Sequence, residues 1–315
     1  AFPLRVVGFV VTLLERSGEE QDKMRLISIA ISHYVEKVRW ALELGSRPWT
    51  EDGHLPGLHL FFTLPVTGDK SMTPCLVTRE ENQPTISDST LILQYLCKTD
   101  PALAFLYPKG LEEEVQYWED YFDQNIGVPM RRFAYSIVLR YKSLAYEVLS
   151  AELPWIEKKL VPFVFPELKK GLRKMIAIDL EGNGAIEESS QMIDKVFIEV
   201  AKRLEGRKYL CGDSLTAADI AFASLCYPIV AAALPDVWDA RFPRLEKFPE
   251  NYKQQITAWM NTPAGKHAIF IYREHRFKNT STSKQVRITN PNSRNNFWPL
   301  IVLAGAGCAL TAALI

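Results

Sequence analysis

The sequence predicts a small α/β layer domain, then an all-α domain, then one segment able to cross a bilayer. Three observations carry this. Strand-like and helix-like runs follow one another in βα…ββα order between residues 24 and 96. From residue 112 onward the periodic stretches have helical spacing. The last 19 residues, 297–315, contain no charged side chain.

The elements follow in order. Met24–Ala30 (MRLISIA) reads as a short buried strand, and Ser32 precedes apolar residues Val35, Val38 and Leu42 at helical spacing, so a helix starts at or just after Ser32. Thr50–Leu64 reads as irregular, with Pro56 and Gly57 inside it and Pro65 just after. Thr73–Thr78 (TPCLVT) is a second strand entered through Pro74, Glu80–Asn82 a turn, and Thr85–Ile86 the partner strand. Ser87, Asp88 and Ser89 lead into a helix with the apolar face Ile92, Tyr95 and Leu96. Beyond residue 112, Val115, Trp118 and Phe122 mark one helix, and Ile193, Val196, Phe197, Val200 and Leu204 another. Residues 181–191 (EGNGAIEESSQ) read as a loop. Thr216 and Asp219 form a capping box, and the run after it, IAFASLCYPIV, is apolar on all sides, which predicts a helix at the centre of the helical domain.

Composition bounds the function classes. The chain has 315 residues, enough for about two domains. Apolar residues at 47% and charged residues at 23% argue against global disorder. Lys+Arg and Asp+Glu both total 37, so no net field draws the chain to nucleic acid. The five cysteines (Cys75, Cys97, Cys211, Cys226 and Cys308) are odd in number, widely spaced and free of CxxC pairs. That is neither a disulfide framework nor a zinc site, and it points to a reducing compartment with no metal.

The run 297–315 (FWPLIVLAGAGCALTAALI) would span roughly 28 Å as a helix, close to the hydrocarbon thickness of a bilayer. Trp298 stands where an interfacial aromatic would. Before it come Arg276, Lys278, Lys284, Arg287 and Arg294, with no Asp or Glu after Glu274, which places the soluble part on the cytosolic or stromal side. Residues 276–296 read as a polar tether. Residues 1–22 form an extension whose apolar stretch, Leu4 to Leu14, is too short to span a bilayer. It reads equally as an extra strand, an interfacial anchor or the remnant of a targeting segment. The domain plan is therefore 1–22 extension, 23–100 α/β domain, 101–275 all-α domain, 276–296 tether and 297–315 transmembrane helix.

Four motifs carry a family resemblance. The run Ser32-His-Tyr-Val-Glu-Lys-Val-Arg-Trp40 resembles the first βα junction of the soluble glutathione S-transferases. Thr73-Pro74-Cys75-Leu76 resembles their cis-proline turn, Ser87-Asp88-Ser89-Thr-Leu-Ile92 the segment holding the γ-glutamyl end of glutathione, and Tyr209–Asp219 the capping box of their helical domain. The resemblance covers about residues 24–275 and implies a thioredoxin-like domain followed by an all-α domain.

It also implies site roles. Ser32 would activate the glutathione thiol, because a helix N-terminus and a hydroxyl donor both stabilise a thiolate. Simple N-capping is the alternative for Ser32, and Tyr34 is a rival hydroxyl. A Ser at this place, where other members carry Cys, argues for thiolate activation without a mixed disulfide. A cis bond at Pro74 would turn the Thr73 main chain outward to pair with the cysteinyl backbone of glutathione. Ser89 suits the γ-glutamyl carboxylate, Asp88 its ammonium group and Lys70 the glycyl carboxylate. Asp88 is shorter than the Glu or Gln of many members. The segment Arg47–Met72, with His54, His59, Phe61 and Phe62, is long for the family. Tyr117, Tyr121, Arg131, Arg132 and Tyr135 are candidates for the wall facing an electrophile.

Two functions follow. One is a membrane-tethered, Ser-type glutathione transferase that uses glutathione as co-substrate and conjugates it to small apolar electrophiles. The other is a catalytically silent adaptor, or an accessory subunit of an integral membrane complex. A homodimer follows from family habit. An intracellular organelle membrane is the expected location, and the Ala1–Phe2 start adds a plastid to the candidates.

Overall fold

The computed structural model describes residues 23–70, 72–234 and 243–276. The extension 1–22, nearly all of the tether and the run 297–315 lie outside the described residues. Among those that are described, no helix is long and apolar enough to cross a membrane.

The N-terminal domain is thioredoxin-like. Its strands are β1 (Met24–Ser28), β2 (Trp49–Gly53), β3 (Cys75–Glu80) and β4 (Gln83–Ser87), and its helices α1 (His33–Leu44), α2 (Leu60–Thr67) and α3 (Ser89–Thr99). The sheet order is β2-β1-β3-β4, with β2 parallel to β1 and the other pairs antiparallel. Side chains alternate across it. Leu26 and Leu76 face the main core with α1 and α3, while Ile27, Cys75 and Val77 pack against Phe62 and Val66 of α2.

The helical domain follows: α4 (Glu112–Phe122), a π-turn at Asp123–Gly127, α5 (Val128–Val138), α6 (Lys142–Ser150), α7 (Trp155–Met175), α8 (Gly184–Arg203), α9 (Ala217–Leu225), α10 (Tyr227–Ala233), α11 (Glu250–Asn261) and α12 (Pro263–Ile271). Every residue of α9 is buried, as its all-round apolar sequence requires, and α9 packs on α1, α4 and α12. Its N-terminus is held by Asp219, which accepts from the Thr216 main-chain N–H (3.1 Å), the Thr216 hydroxyl (3.0 Å) and the Leu210 N–H (2.9 Å). The apolar run does not continue as one helix: α9 ends at Leu225 and α10 starts at Tyr227 with Pro228 in its first turn.

Two stretches differ from expectation. Thr50–Leu64 is not irregular, since it holds most of β2 and the start of α2. The strand escapes periodicity because two of its three buried positions are acidic: Glu51 receives Arg39, and Asp52 sits 3.7 Å from Arg25. Residues 184–191, read as loop, are the first two turns of α8. Their buried positions are the small Ala185 and Ser189, which carry almost no hydrophobic signal.

Candidate active site

Strand register gathers the first three motifs. Ile27 of β1 pairs with Cys75 of β3, and Cys75 pairs with Ser87 of β4, so the three strand ends lie side by side. The turn with Ser32 leaves from this edge, Thr73 and Pro74 enter at it, and Asp88 and Ser89 leave from it. Helices α1 and α3 both begin here, so free main-chain N–H groups and the positive ends of two helix dipoles converge.

Ser32 has extended backbone (φ −72°, ψ 123°) and its Oγ accepts the Val35 N–H at 3.4 Å, which makes it the N-cap of α1. Its own O–H donates to no described residue. A hydroxyl has two lone pairs and one proton, so capping leaves the proton available. The Thr73–Pro74 bond is cis. The Pro74 carbonyl accepts the Asp88 N–H at 3.4 Å, while the main chain of Thr73 pairs with no described residue. Asp88 has φ 126°, a backbone region L residues rarely adopt, and its carboxylate accepts the Leu91 N–H at 3.1 Å to cap α3. Such strain costs about 1–3 kcal/mol and is typical of ligand clamps. Ser89 is buried behind it. Lys70 is exposed, with its charge felt at the Cys75 thiol, although burial outweighs it and pushes that thiol up.

Tyr34 and His33 are committed elsewhere. The Tyr34 hydroxyl donates to the Asp123 carbonyl at 2.6 Å, and burial beside Asp123 pushes its pKa up. His33 Nε2 lies 2.9 Å from the Gly127 carbonyl; burial, with the Arg131 charge, lowers its pKa to about 3, so the ring is neutral and donates. Both side chains meet the π-turn where Gly127 has no side chain, and a Cβ there would collide with the Tyr34 hydroxyl.

Beneath the edge, Lys37 ties three helices together. It is fully buried, 2.6 Å from Glu119 of α4, 3.0 Å from Asp123 and 3.0 Å from the Thr90 hydroxyl of α3. Burial alone would lower its pKa, but the two carboxylates outweigh burial and raise it. This network was not read from the sequence. No local pattern announces it: Glu36, Lys37 and Arg39 read as a solvated face until the structure shows all three buried, with the carboxylates of Glu119 and Asp123 brought to Lys37 from far along the chain.

A narrow cleft of about 40 Å³ opens beside His33. Ile31 and His33 line it from the N-terminal domain, Met130, Arg131, Ala134, Tyr135 and Val138 from α5, and Val148, Tyr227 and Pro228 from the helices behind. Of the five candidates for this wall, Arg131 and Tyr135 line the cleft. Arg132 instead binds Glu188 (2.5 Å) and the Ala177 carbonyl, Tyr121 donates to Glu199 (2.5 Å), and Tyr117 is exposed and stacked on Tyr121. Among the described residues no group of His, Cys, Asp and Glu is arranged to hold a metal ion.

Comparison with known proteins gives the following. The family model "Glutathione S-transferase, N-terminal domain" matches residues 26–104, and "Glutathione S-transferase, C-terminal domain" matches residues 183–248. Solved structures similar to this chain include glutathione transferase F2 from Populus trichocarpa, at 14% identity and TM-score 0.47, covering 79% of this chain and 99% of that one. Ure2p in complex with glutathione is 18% identical with TM-score 0.48, covering 84% and 99%. A glutathione S-transferase from Rhodospirillum rubrum F11 is 21% identical with TM-score 0.45, covering 78% and 91%. No curated protein sequence matches the chain.

Proposed function

We infer, from the N-terminal and C-terminal glutathione S-transferase domains that this chain carries, that it binds glutathione at the strand edge and transfers the thiolate to small apolar electrophiles. The observation that supports this most is the uncommitted O–H of Ser32 at the start of α1. There the hydroxyl donates to the glutathione sulfur while the helix amides favour negative charge, and together they lower the thiol pKa from its free value of about 8.5. The thiolate then forms a C–S bond to the electrophilic carbon. With an activated alkene the displaced π pair moves to the neighbouring carbon, which takes a proton from water.

Binding roles follow from the edge. The Thr73 main chain pairs with the cysteinyl backbone, and Asp88 and Ser89 take the γ-glutamyl ammonium and carboxylate. Lys70 reaches the glycyl carboxylate. Ser32, not Tyr34, is the activating hydroxyl, because the Tyr34 proton is already given to Asp123. The uncharged run 297–315 holds the protein on an organelle membrane with the two domains on the cytosolic or stromal side, close to electrophiles that partition into lipid.

Calorimetric titration with glutathione and conjugation assays on Ser32→Ala test the reading. Loss of one charge-assisted hydrogen bond lowers kcat/KM by about 10- to 100-fold. If the unmodified protein takes up no glutathione at millimolar concentration, the enzyme reading falls and the adaptor reading, in which Ser32 only caps α1, replaces it.

A further inference from the structure

We propose that the cleft between the start of α1 and α5 is a subsite for a small apolar ligand carrying a carboxylate, which Arg131 receives. As a statement about binding this stands alone; as a statement about substrate it rests on the glutathione transferase reading, and names the electrophile as an apolar acid.

Arg131 is half-buried, and its Nε is buried without a hydrogen-bond partner. It forms no ion pair with any described residue. Arg25 and Arg140 share the unpartnered buried Nε, but Arg25 lies 3.7 Å from Asp52 and Arg140 donates through its other nitrogens to Asn183 and the Gly182 carbonyl; three more arginines hold a carboxylate. Arg39 holds Glu51 at 2.6 Å, Arg276 holds Glu36 at 3.0 Å, and Arg132 holds Glu188 at 2.5 Å. A guanidinium in partly apolar surroundings is costly to leave without an anion.

None of the residues lining the cleft is acidic. His33 is neutral, and burial pushes the Tyr135 hydroxyl up to about 12, so it stays protonated at neutral pH. The remaining wall is mostly apolar, with Ile31, Met130, Val138 and Val148 prominent. Low polarity around a fixed positive charge strengthens its pull on an anion, and the planar fork of Arg matches a carboxylate with two parallel hydrogen bonds. The small volume admits only the end of a short apolar body, the rest of which lies along the open mouth of the cleft. Arg131 and Tyr135 lie one turn apart on α5, so the acid end and the aromatic wall are set by one rigid element.

The test is calorimetric titration of the full chain in non-ionic detergent with hexanoate and with hexanamide, for the unmodified protein, Arg131→Gln and Arg131→Lys. Hexanoate is expected to bind about tenfold more tightly than hexanamide. The ratio falls to about one in Arg131→Gln and partly returns in Arg131→Lys. Hexanamide affinity stays the same in all three, which shows that the cleft remains folded. Saturating glutathione leaves hexanoate binding unchanged. Equal affinity for acid and amide, a preference that survives Arg131→Gln, or absence of binding overturns the proposal. Displacement of hexanoate by glutathione overturns it too, by assigning Arg131 to glutathione itself. Failure of the transferase reading looks different: hexanoate binds and glutathione does not.

Discussion

Ser32 and Tyr34 are two hydroxyls two residues apart, and hydrogen bonding separates their roles. Tyr34 donates to a buried carbonyl, so Tyr34→Phe should leave conjugation within about twofold of the unmodified rate while costing about 1–2 kcal/mol in urea unfolding, because the Asp123 carbonyl loses its donor. A large fall in rate would return Tyr34 to the chemistry. Gly127 exists for the same contact. Gly127→Ala should cost about 1–3 kcal/mol by overpacking, read in the same unfolding experiment. At this scale Ser32, Pro74 and Asp88 were legible because each sits in a local motif whose chemistry belongs to the turn it makes. Arg131 was legible as a candidate but its lack of a partner was not, since that depends on what other elements place around it.

The helix α1 carries more buried charge than its length suggests. Besides Lys37, Arg39 reaches Glu51 and the Ala30 carbonyl, and Glu36 and Glu43 receive Arg276 from the end of the helical domain. Lys37→Met should destabilise the protein by about 3–5 kcal/mol, because Glu119 and Asp123 stay buried without their cation. Adding Glu119→Gln should cost less than the sum of the two single changes, a coupling that a double-mutant cycle in urea measures. The segment after β2 forms a second tie. His54 lies 2.8 Å from Glu157 of α7 and 3.3 Å from Asp52, and stacks on Phe62. Burial opposes its charge, but the carboxylates outweigh it and raise its pKa from 6.5 to about 9. A raised folded-state pKa means that this stabilisation is full below about pH 6.5 and fades as pH rises through 9. The melting temperature should therefore fall between those limits, and His54→Gln should flatten that slope. An unchanged slope in His54→Gln would show that His54 is not charged in the fold. β2 and this latch were hidden from periodicity because most of their buried positions are ionic, and ionic residues read as surface until their partners are known.

At the scale of the whole molecule, one apolar core runs from the sheet through α1 into the helical domain, with α9 packed directly on α1. The two domains share a core, so damage to the ionic ties should be felt at the strand edge as well as in global unfolding. The run 297–315 belongs to this scale too. The full chain should stay in the membrane pellet through alkaline carbonate washing, and removal of 297–315 should release it; release of the intact chain would remove the anchor.

What the sequence determined by itself was whatever is written within a few neighbouring residues. Caps at Ser32 and Thr216, the turn at Pro74 and the all-round apolar α9 are all of this kind, because local hydrogen bonds and side-chain periodicity need no distant partner. Only the tertiary structure decided which charges are buried together, why Tyr34 is unavailable and why Arg131 stands alone. Those facts arise from residues tens to hundreds of positions apart, and the energy of a charge is set by its surroundings, not by its place in the chain.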